Sequence, residues 1–411
     1  MWNSTSFIII SIMKKSRTFM EAQKRFKMMQ DLRRDLHMHP ELGMQEHRTA
    51  DIIARHLEKL DMEVRGGVAG TGVVGLLKGH NNGKTVALRA DIDALPMEDK
   101  KPVSYASSIP GVAHSCGHDA HTAILLGAAD ILSSLKHEIE GSIKFIFQPS
   151  EDTLPGGALP MIEAGVLEKP TVEAIFSLHL NSHFQEGFAA AKSGYASTSS
   201  STFSLTLQGR GGHVAMPRQV VDPIMMAGTV ISVTQSILPK KIDPGDPLIF
   251  AYGSVHGGSA PNIIPDKVTL TGSIRAGSPE KLDEIIQLFK DISEKTADLY
   301  GGECFIDFTR GYPSIYNDPE LIEIWKKAAS AVVGEERVLL LNHVLTTGDD
   351  VSYFHKKVPG VYWHLGIRNE KRGYNHPLHS PNFDFNEEVL VYGAAIQVQA
   401  VIDYLKFGTH K

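Results

Sequence analysis

Cys116 and His118 stand on either side of Gly117, and a soft thiolate and an imidazole at that spacing can close on one metal ion. The segment His114-Ser115-Cys116-Gly117-His118-Asp119-Ala120-His121 therefore points first to a metalloenzyme. A second cluster, Gln148-Pro149-Ser150-Glu151-Asp152, ends a strand-like apolar run on two adjacent carboxylates. Such a pair can divide two tasks, one as general base and one as metal ligand. Cys116 also permits a different chemistry, that of a nucleophile served by His118 or His121 in a metal-free thiol hydrolase.

These side chains act together only if the fold gathers them. From about residue 19 to residue 60 the apolar spacing is helical, and 44–60 reads as an amphipathic helix that packs on a sheet. Residues 71–77 and 85–91 are short β-rich runs punctuated by glycine. Asp119 is placed to cap a helix through Ile124, Leu125, Ala128 and Leu132. Residues 142–147 and 174–178 read as buried strands, and the helical turn 161–164 between them gives βαβ order. Candidate residues then fall where strands end: Asp91 and Asp93 after one, Glu151 and Asp152 after another, His179 after a third. Open α/β sheets bind ligands beyond the carboxyl ends of their strands, so one crevice can gather all five.

Near Gly194 the pattern changes. Residues 201–314 read strand, helix, strand, strand, helix, strand, at 203–207, 223–238, 248–255, 268–274, 279–299 and 305–308, the order of a ferredoxin-like unit. A helix at 318–333, a strand at 361–365 and a helix at 387–405 return to the first layer. The expected fold is α/β, a mixed sheet flanked by helices in 14–195 and 315–411, with an inserted α+β domain at 196–314.

The chain's 411 residues suit about two or three domains. With 41 Lys and Arg against 47 Asp and Glu, the formal charge is −6, and no basic block is long enough to follow a phosphate backbone, which excludes nucleic acid as a partner. Two cysteines, Cys116 and Cys304, make no disulfide framework and fit a reducing compartment, the cytoplasm. The apolar run 7–13 is too brief to span a bilayer, and its basic residues follow it where a signal peptide would place them before.

Taken in order, the motifs resemble one family. They are Arg33-Arg34-Asp35-Leu36-His37, Pro40-Glu41-Leu42, Arg89-Ala90-Asp91-Ile92-Asp93-Ala94-Leu95-Pro96, Cys116-Gly117-His118-Asp119, and Glu151-Asp152 with Gly156-Gly157. Gly211-Gly212-His213, Pro261-Asn262-Ile263-Ile264-Pro265, Gly348-Asp349-Asp350 and Leu378-His379-Ser380 continue the series. Over nearly its whole length the chain resembles the amidohydrolase branch of the aminoacylase and carboxypeptidase G-like metallopeptidases, with hippurate hydrolase, N-acyl-amino-acid amidohydrolases and indole-acetyl-amino-acid hydrolases. The resemblance implies a zinc-peptidase-like sheet and a lid or dimerisation role for the inserted domain. It implies two divalent ions per subunit, zinc, manganese, cobalt or nickel, held by Cys116, His118, Asp152, His179 and His379, with Glu151 as general base. It further implies that His213 stands near the developing oxyanion, often in a dimer partner's site, and that Asn262 and Arg275 hold the substrate carboxylate.

Three departures bear on substrate range and metal occupancy. Relatives carry two glutamates where this chain has Glu151-Asp152, their glutamate-aspartate-phenylalanine is here Asp349-Asp350-Val351, and an aromatic is missing near Gly43-Met44. Plainer readings also stand beside the sharp ones. Cys116 can be a small buried hydrophobe, His179 an ordinary strand-end histidine, and Glu151 a solvated loop carboxylate. Asp91 and Asp93 read as residues that orient ligands or as strand-end caps. Asn262 can shape a turn, Arg275 can serve an ordinary ion pair, and the paired glycines fit tight turns. His114, His121, His183, His364 and His376 have no motif support.

The expected function is metal-dependent hydrolysis of an N-acyl amino acid or a related small amide by a cytoplasmic homodimer or dimer of dimers, with no membrane partner. Beside it stand the metal-free thiol hydrolase and a metal- or small-molecule-binding relative that has lost catalysis through Asp152.

Overall fold

The structure, a computed structural model, describes residues 16–243 and 245–407. The apolar run 7–13 lies outside the described residues. The first strands are β1 Glu63–Val68, β2 Gly72–Lys78, β3 Asn81–Asp91, β4 Glu140–Gln148, β5 Ala174–Gln185, β6 Ala189–Ala191 and β7 Gly194–Tyr195. Then come β8 Ser199–Gln208, β9 Gly212–His213, β10 Leu248–His256, β11 Ile263–Ile264, β12 Lys267–Ala276, β13 Glu303–Arg310, β14 Tyr316–Asn317, β15 Val338–Leu340 and β16 Gly360–Arg368.

Eight strands form one mixed sheet in the order β1-β2-β4-β3-β5-β16-β6-β15. Its centre is parallel, since β3 runs with β4 and β5, and β5 with β16. Parallel strands with helices on both faces need continuous burial, and β3 is buried at every residue from Thr85 to Asp91. The helix His118–Ser134 is buried on nearly all sides and packs beside the helices Phe26–Met38 and Val389–Phe407. The α/β expectation of a large mixed sheet flanked by helices holds.

Four antiparallel strands make a second sheet, ordered β10-β12-β8-β13, as in a ferredoxin-like unit. β8 alternates buried and more exposed residues because only one of its faces is covered. Apolar side chains of this layer and of the helices Pro223–Ile237 and Pro279–Leu299 form a separate cluster around Phe203, Leu270 and Phe289. Three long helices of the two layers start from local signals: Asp222, Ser278 and Asp318 each accept backbone N–H bonds, and a proline follows each.

Three expectations about elements are corrected. The helix expected from residue 44 starts at His47, because Met44 has a φ of 63° and cannot sit in a right-handed helix. Asp119 does not cap its helix; Gly117, with φ 92°, precedes His118, and Asp119 turns inward to Arg33 Nε at 2.9 Å and His37 Nδ1 at 2.7 Å. His179 is not at a strand end, since β5 continues to Gln185.

Candidate metal centre

β3 and β4 end side by side, with Asp91 opposite Gln148, and the chain then turns sharply. Ser150 takes a φ of 51° and its N–H is held by the buried Glu46 carboxylate at 2.9 Å. That turn carries Glu151 and Asp152 toward the start of the helix His118–Ser134. Cys116 Sγ lies 3.2 Å from His379 Nε2 and 3.5 Å from His179 Nε2. Asp152 stands between His379 and His118, with Oδ1 3.5 Å from His379 Nε2 and Oδ2 3.8 Å from His118 Nε2. Glu151 Oε2 is 3.9 Å from the same His118 nitrogen.

Hydrogen bonds fix two of the histidine tautomers. A carbonyl only accepts, so His118 Nδ1 donates to the Asp93 carbonyl at 2.9 Å and His179 Nδ1 to the Leu180 carbonyl at 2.6 Å. Both Nε2 atoms therefore face inward. Asp93 also touches His118 Nδ1 with Oδ1 at 3.1 Å and accepts from Asp152 N with Oδ2 at 3.1 Å. Asp91 accepts from His121 Nδ1 at 2.6 Å and from Arg89 Nη1 at 2.8 Å.

The centre is crowded with acids. Burial, then Asp349, Asp152 and Asp350, pushes the Glu151 carboxyl well above its usual range, and burial raises Asp152 as well. Burial and Asp152 drive the Cys116 thiol well up. Burial alone would depress His118, but Asp91 and Cys116 outweigh it and hold its pKa high. His179 is held well below the ordinary value, first by burial and next by His121.

A cation among these groups would answer the imbalance. His118 Nε2 and Asp152 Oδ2 are buried and have no hydrogen-bond partner among the described residues. Thiol, imidazole and carboxylate together suit transition ions rather than calcium or magnesium. Cys116, Asp152 and His379 form one potential ligand group, and Asp91, His118, His121 and His179 another beside it. The residues fit a pair of divalent metals.

A cavity of about 560 Å³ opens on this centre. Cys116, Glu151, Asp152, His179 and His379 line it from the first layer, and Arg275 and Ile249 from the second sheet. Arg275 Nη1 donates to the Thr346 carbonyl at 2.9 Å. His213 and Asn262 lie elsewhere: His213 pairs with Ile263 in the β9–β11 ribbon, Asn262 precedes that strand, and both are exposed. Neither lines the cavity of its own chain.

Residues 87–403 match peptidase family M20/M25/M40. The chain belongs to that family. Thermostable carboxypeptidase 2 of Saccharolobus solfataricus is 38% identical over 379 residues, which cover 91% of this chain and 94% of that one. IAA-amino acid hydrolase ILR1-like 2 of Arabidopsis thaliana is 36% identical over 392 residues, 94% and 88% of the two chains. Among solved structures, the Bacillus subtilis YXEP protein, a dinuclear metal binding peptidase from the M20 family, matches with a TM-score of 0.81 at 29% identity, over 93% of this chain and 99% of that one. This M20-family chain is a hydrolase acting on amide or peptide bonds.

Within this M20-family site, several residues take places that the sequence motifs assign no role. His121 stands inside the ligand group although no motif singles it out; its signal is the spacing of three from His118, which puts both rings on one helix face. His183 and His364 line the cavity, whereas His376 is exposed and does not line it. Arg89 is fully buried and joins Asp91, Asp350 and Gln148, so it braces the floor beneath Glu151.

Proposed function

We propose that this chain hydrolyses the amide bond of an N-acyl amino acid or a related small amide, with two divalent ions held by Cys116, His118, Asp152, His179 and His379. One observation carries the reading: these five side chains converge beside Glu151, and Cys116, Asp152, His179 and His379 line a cavity that Arg275 also lines. When bound, such ions supply Lewis acidity, making a water more acidic and polarising the scissile carbonyl. Glu151 accepts the proton of the attacking water and returns it to the leaving amine. Asp93 and the Leu180 carbonyl hold the Nδ1 protons of His118 and His179, which aims the other nitrogens inward. Arg275 gives one N–H to Thr346 and keeps further donors for a substrate carboxylate.

His213 and Asn262 enter this scheme from a second copy, since both are exposed on one ribbon outside the cavity of their own chain. Residues 196–314 then act as lid and pairing domain of a homodimer or dimer of dimers. The reading places the enzyme in the cytoplasm; no helix among the described residues is long and apolar enough to cross a membrane. A metal-free thiol mechanism is disfavoured, because burial raises the Cys116 thiol where a nucleophilic cysteine must be brought down.

The test is metal content by mass spectrometry on purified protein, with amine release from a panel of N-acyl amino acids before and after chelation and metal restoration. About two equivalents of metal and chelator-sensitive release are expected. Metal-free protein that still releases amine would overturn the proposal.

A further inference from the structure

We infer that His121 is a positioning residue that sets the ring of His179 through the main chain of Leu180, an inference that rests on the two-metal reading above. β3 pairs with β5 only from Val86 opposite Ala174 to Arg89 opposite Ser177. Past that point β3 stays with β4, and β5 continues against β16 alone, through Leu180 opposite Leu365. The side of β5 that β3 has left therefore exposes main-chain groups in a buried place, where they need partners.

His121 takes the position of the missing strand. The Leu180 N–H donates to His121 Nε2 at 2.9 Å. An amide N–H only donates, so Nε2 carries the lone pair and the proton sits on Nδ1, which donates to Asp91 Oδ1 at 2.6 Å. Both nitrogens are thereby engaged. His121 lies within reach of the Asp91, His118 and His179 ligand atoms, yet it has no lone pair left for an ion, and its place is beside the metal rather than on it.

The N–H and C=O of one strand residue point to the same side. With its N–H held by His121, Leu180 also presents its carbonyl there, and that carbonyl accepts the His179 Nδ1 proton at 2.6 Å. His179 Nε2 is left facing Cys116 Sγ at 3.5 Å. The His121 and His179 rings meet edge to face, with centroids 4.5 Å apart at 66°, which limits rotation of His179 from the other side. The path runs from Asp91 through His121 and Leu180 to His179, and it replaces the ladder that β3 does not supply.

Two substitutions separate its halves. His121→Gln keeps an acceptor for Leu180 near the Nε2 position, whereas His121→Asn keeps a donor for Asp91 near the Nδ1 position. His121→Ala keeps neither. The full chain is loaded with Co(II), and its visible absorption and its affinity in competition with a chelator are read, alongside the melting curve of each metal-free variant. His121→Ala is expected to weaken Co(II) about 10- to 100-fold and to alter the thiolate and ligand-field bands. His121→Gln should restore most of both, and His121→Asn should not. The Gln and Asn pair keeps the test decisive if the alanine variant does not fold. Restoration by Asn but not Gln would overturn the inference and assign His121 to Asp91 alone. Loss of a whole equivalent of Co(II) in the Gln variant would make His121 a ligand and also overturn it. Wild-type binding and spectra in all three variants would overturn it as well. Unsubstituted protein that binds no Co(II) would instead defeat the two-metal reading, which keeps the two failures distinct.

Discussion

Tyr312 donates its hydroxyl to the main-chain carbonyl of Glu151 at 2.6 Å. Tyr312 lies two residues past β13, where the chain leaves the second sheet, and its ring meets Tyr353 edge-on with centroids 6.2 Å apart. The loop that carries Glu151 is thus tied to the connection between the two layers. Tyr312→Phe removes one hydrogen bond and is expected to lower kcat about fivefold, with metal content unchanged. Metal analysis and steady-state kinetics check this; metal lost together with rate would show that the bond serves the fold instead.

Glu151→Ala should keep its metal and lose at least about a hundredfold in rate, the usual effect of removing a general base. Cys116→Ala should lose metal, since its sulfur stands between His179 and His379. Both variants should lose amine release, and mass spectrometry separates them: metal is kept in the first and lost in the second. Unchanged turnover in the first, or full metal in the second, counts against the assignment.

Mixing two inactive variants tests the second copy. If Glu151 and His213 of one site come from different chains, Glu151→Ala and His213→Ala subunits that exchange freely should recover about a quarter of wild-type activity, because half of the dimers are mixed and each has one intact site. Mixtures that stay inactive after proven exchange would place His213 outside a shared site.

Arg275→Lys should raise KM for an N-acyl amino acid about tenfold or more, because an ammonium cannot make the paired bonds of a guanidinium to a carboxylate. The corresponding substrate with its carboxylate amidated should respond far less. An equal penalty on both would mean that Arg275 holds the wall through Thr346 rather than the substrate.

Burial pushes Asp350 up to about 8 even with Arg89 beside it, and Glu151 moves the same way. A carboxyl whose folded pKa exceeds its unfolded value keeps a proton in the native state that the unfolded chain has released. Its stabilisation is full below the unfolded value and is lost as pH rises through the folded one. His114 and His364, brought down to about 3 by burial, give the opposite slope, but below the ordinary histidine range. Chelator-treated protein should therefore unfold at lower urea at about pH 8 than at about pH 6.5, and added divalent metal should flatten the difference. A flat or rising urea midpoint in the metal-free protein would contradict the protonated cluster.

Local rules made much of the fold legible. Asp222-Pro223, Ser278-Pro279 and Asp318-Pro319 begin helices because cap and proline act within one turn. Alternation along β8 and continuous burial along β3 follow from how many faces each strand covers. Cys116 with His118, and Glu151 with Asp152, were visible as chemistry because each pair is close in sequence. Asp119 misled for the same reason: it stands where a cap belongs, while its partners Arg33 and His37 come from another helix.

The amino-acid sequence by itself determined the order of the elements and the types of donor the site can offer, since periodicity, capping and ligand spacing are short-range properties. Only the tertiary structure decided which donor faces which. Arg89 meets Asp349 across 260 residues, and His121 gains its role because β3 parts from β5 after Ser177 and leaves Leu180 without a strand partner on that side. Such pairings depend on which strands lie side by side and where their ladders end, and no local spacing carries that information.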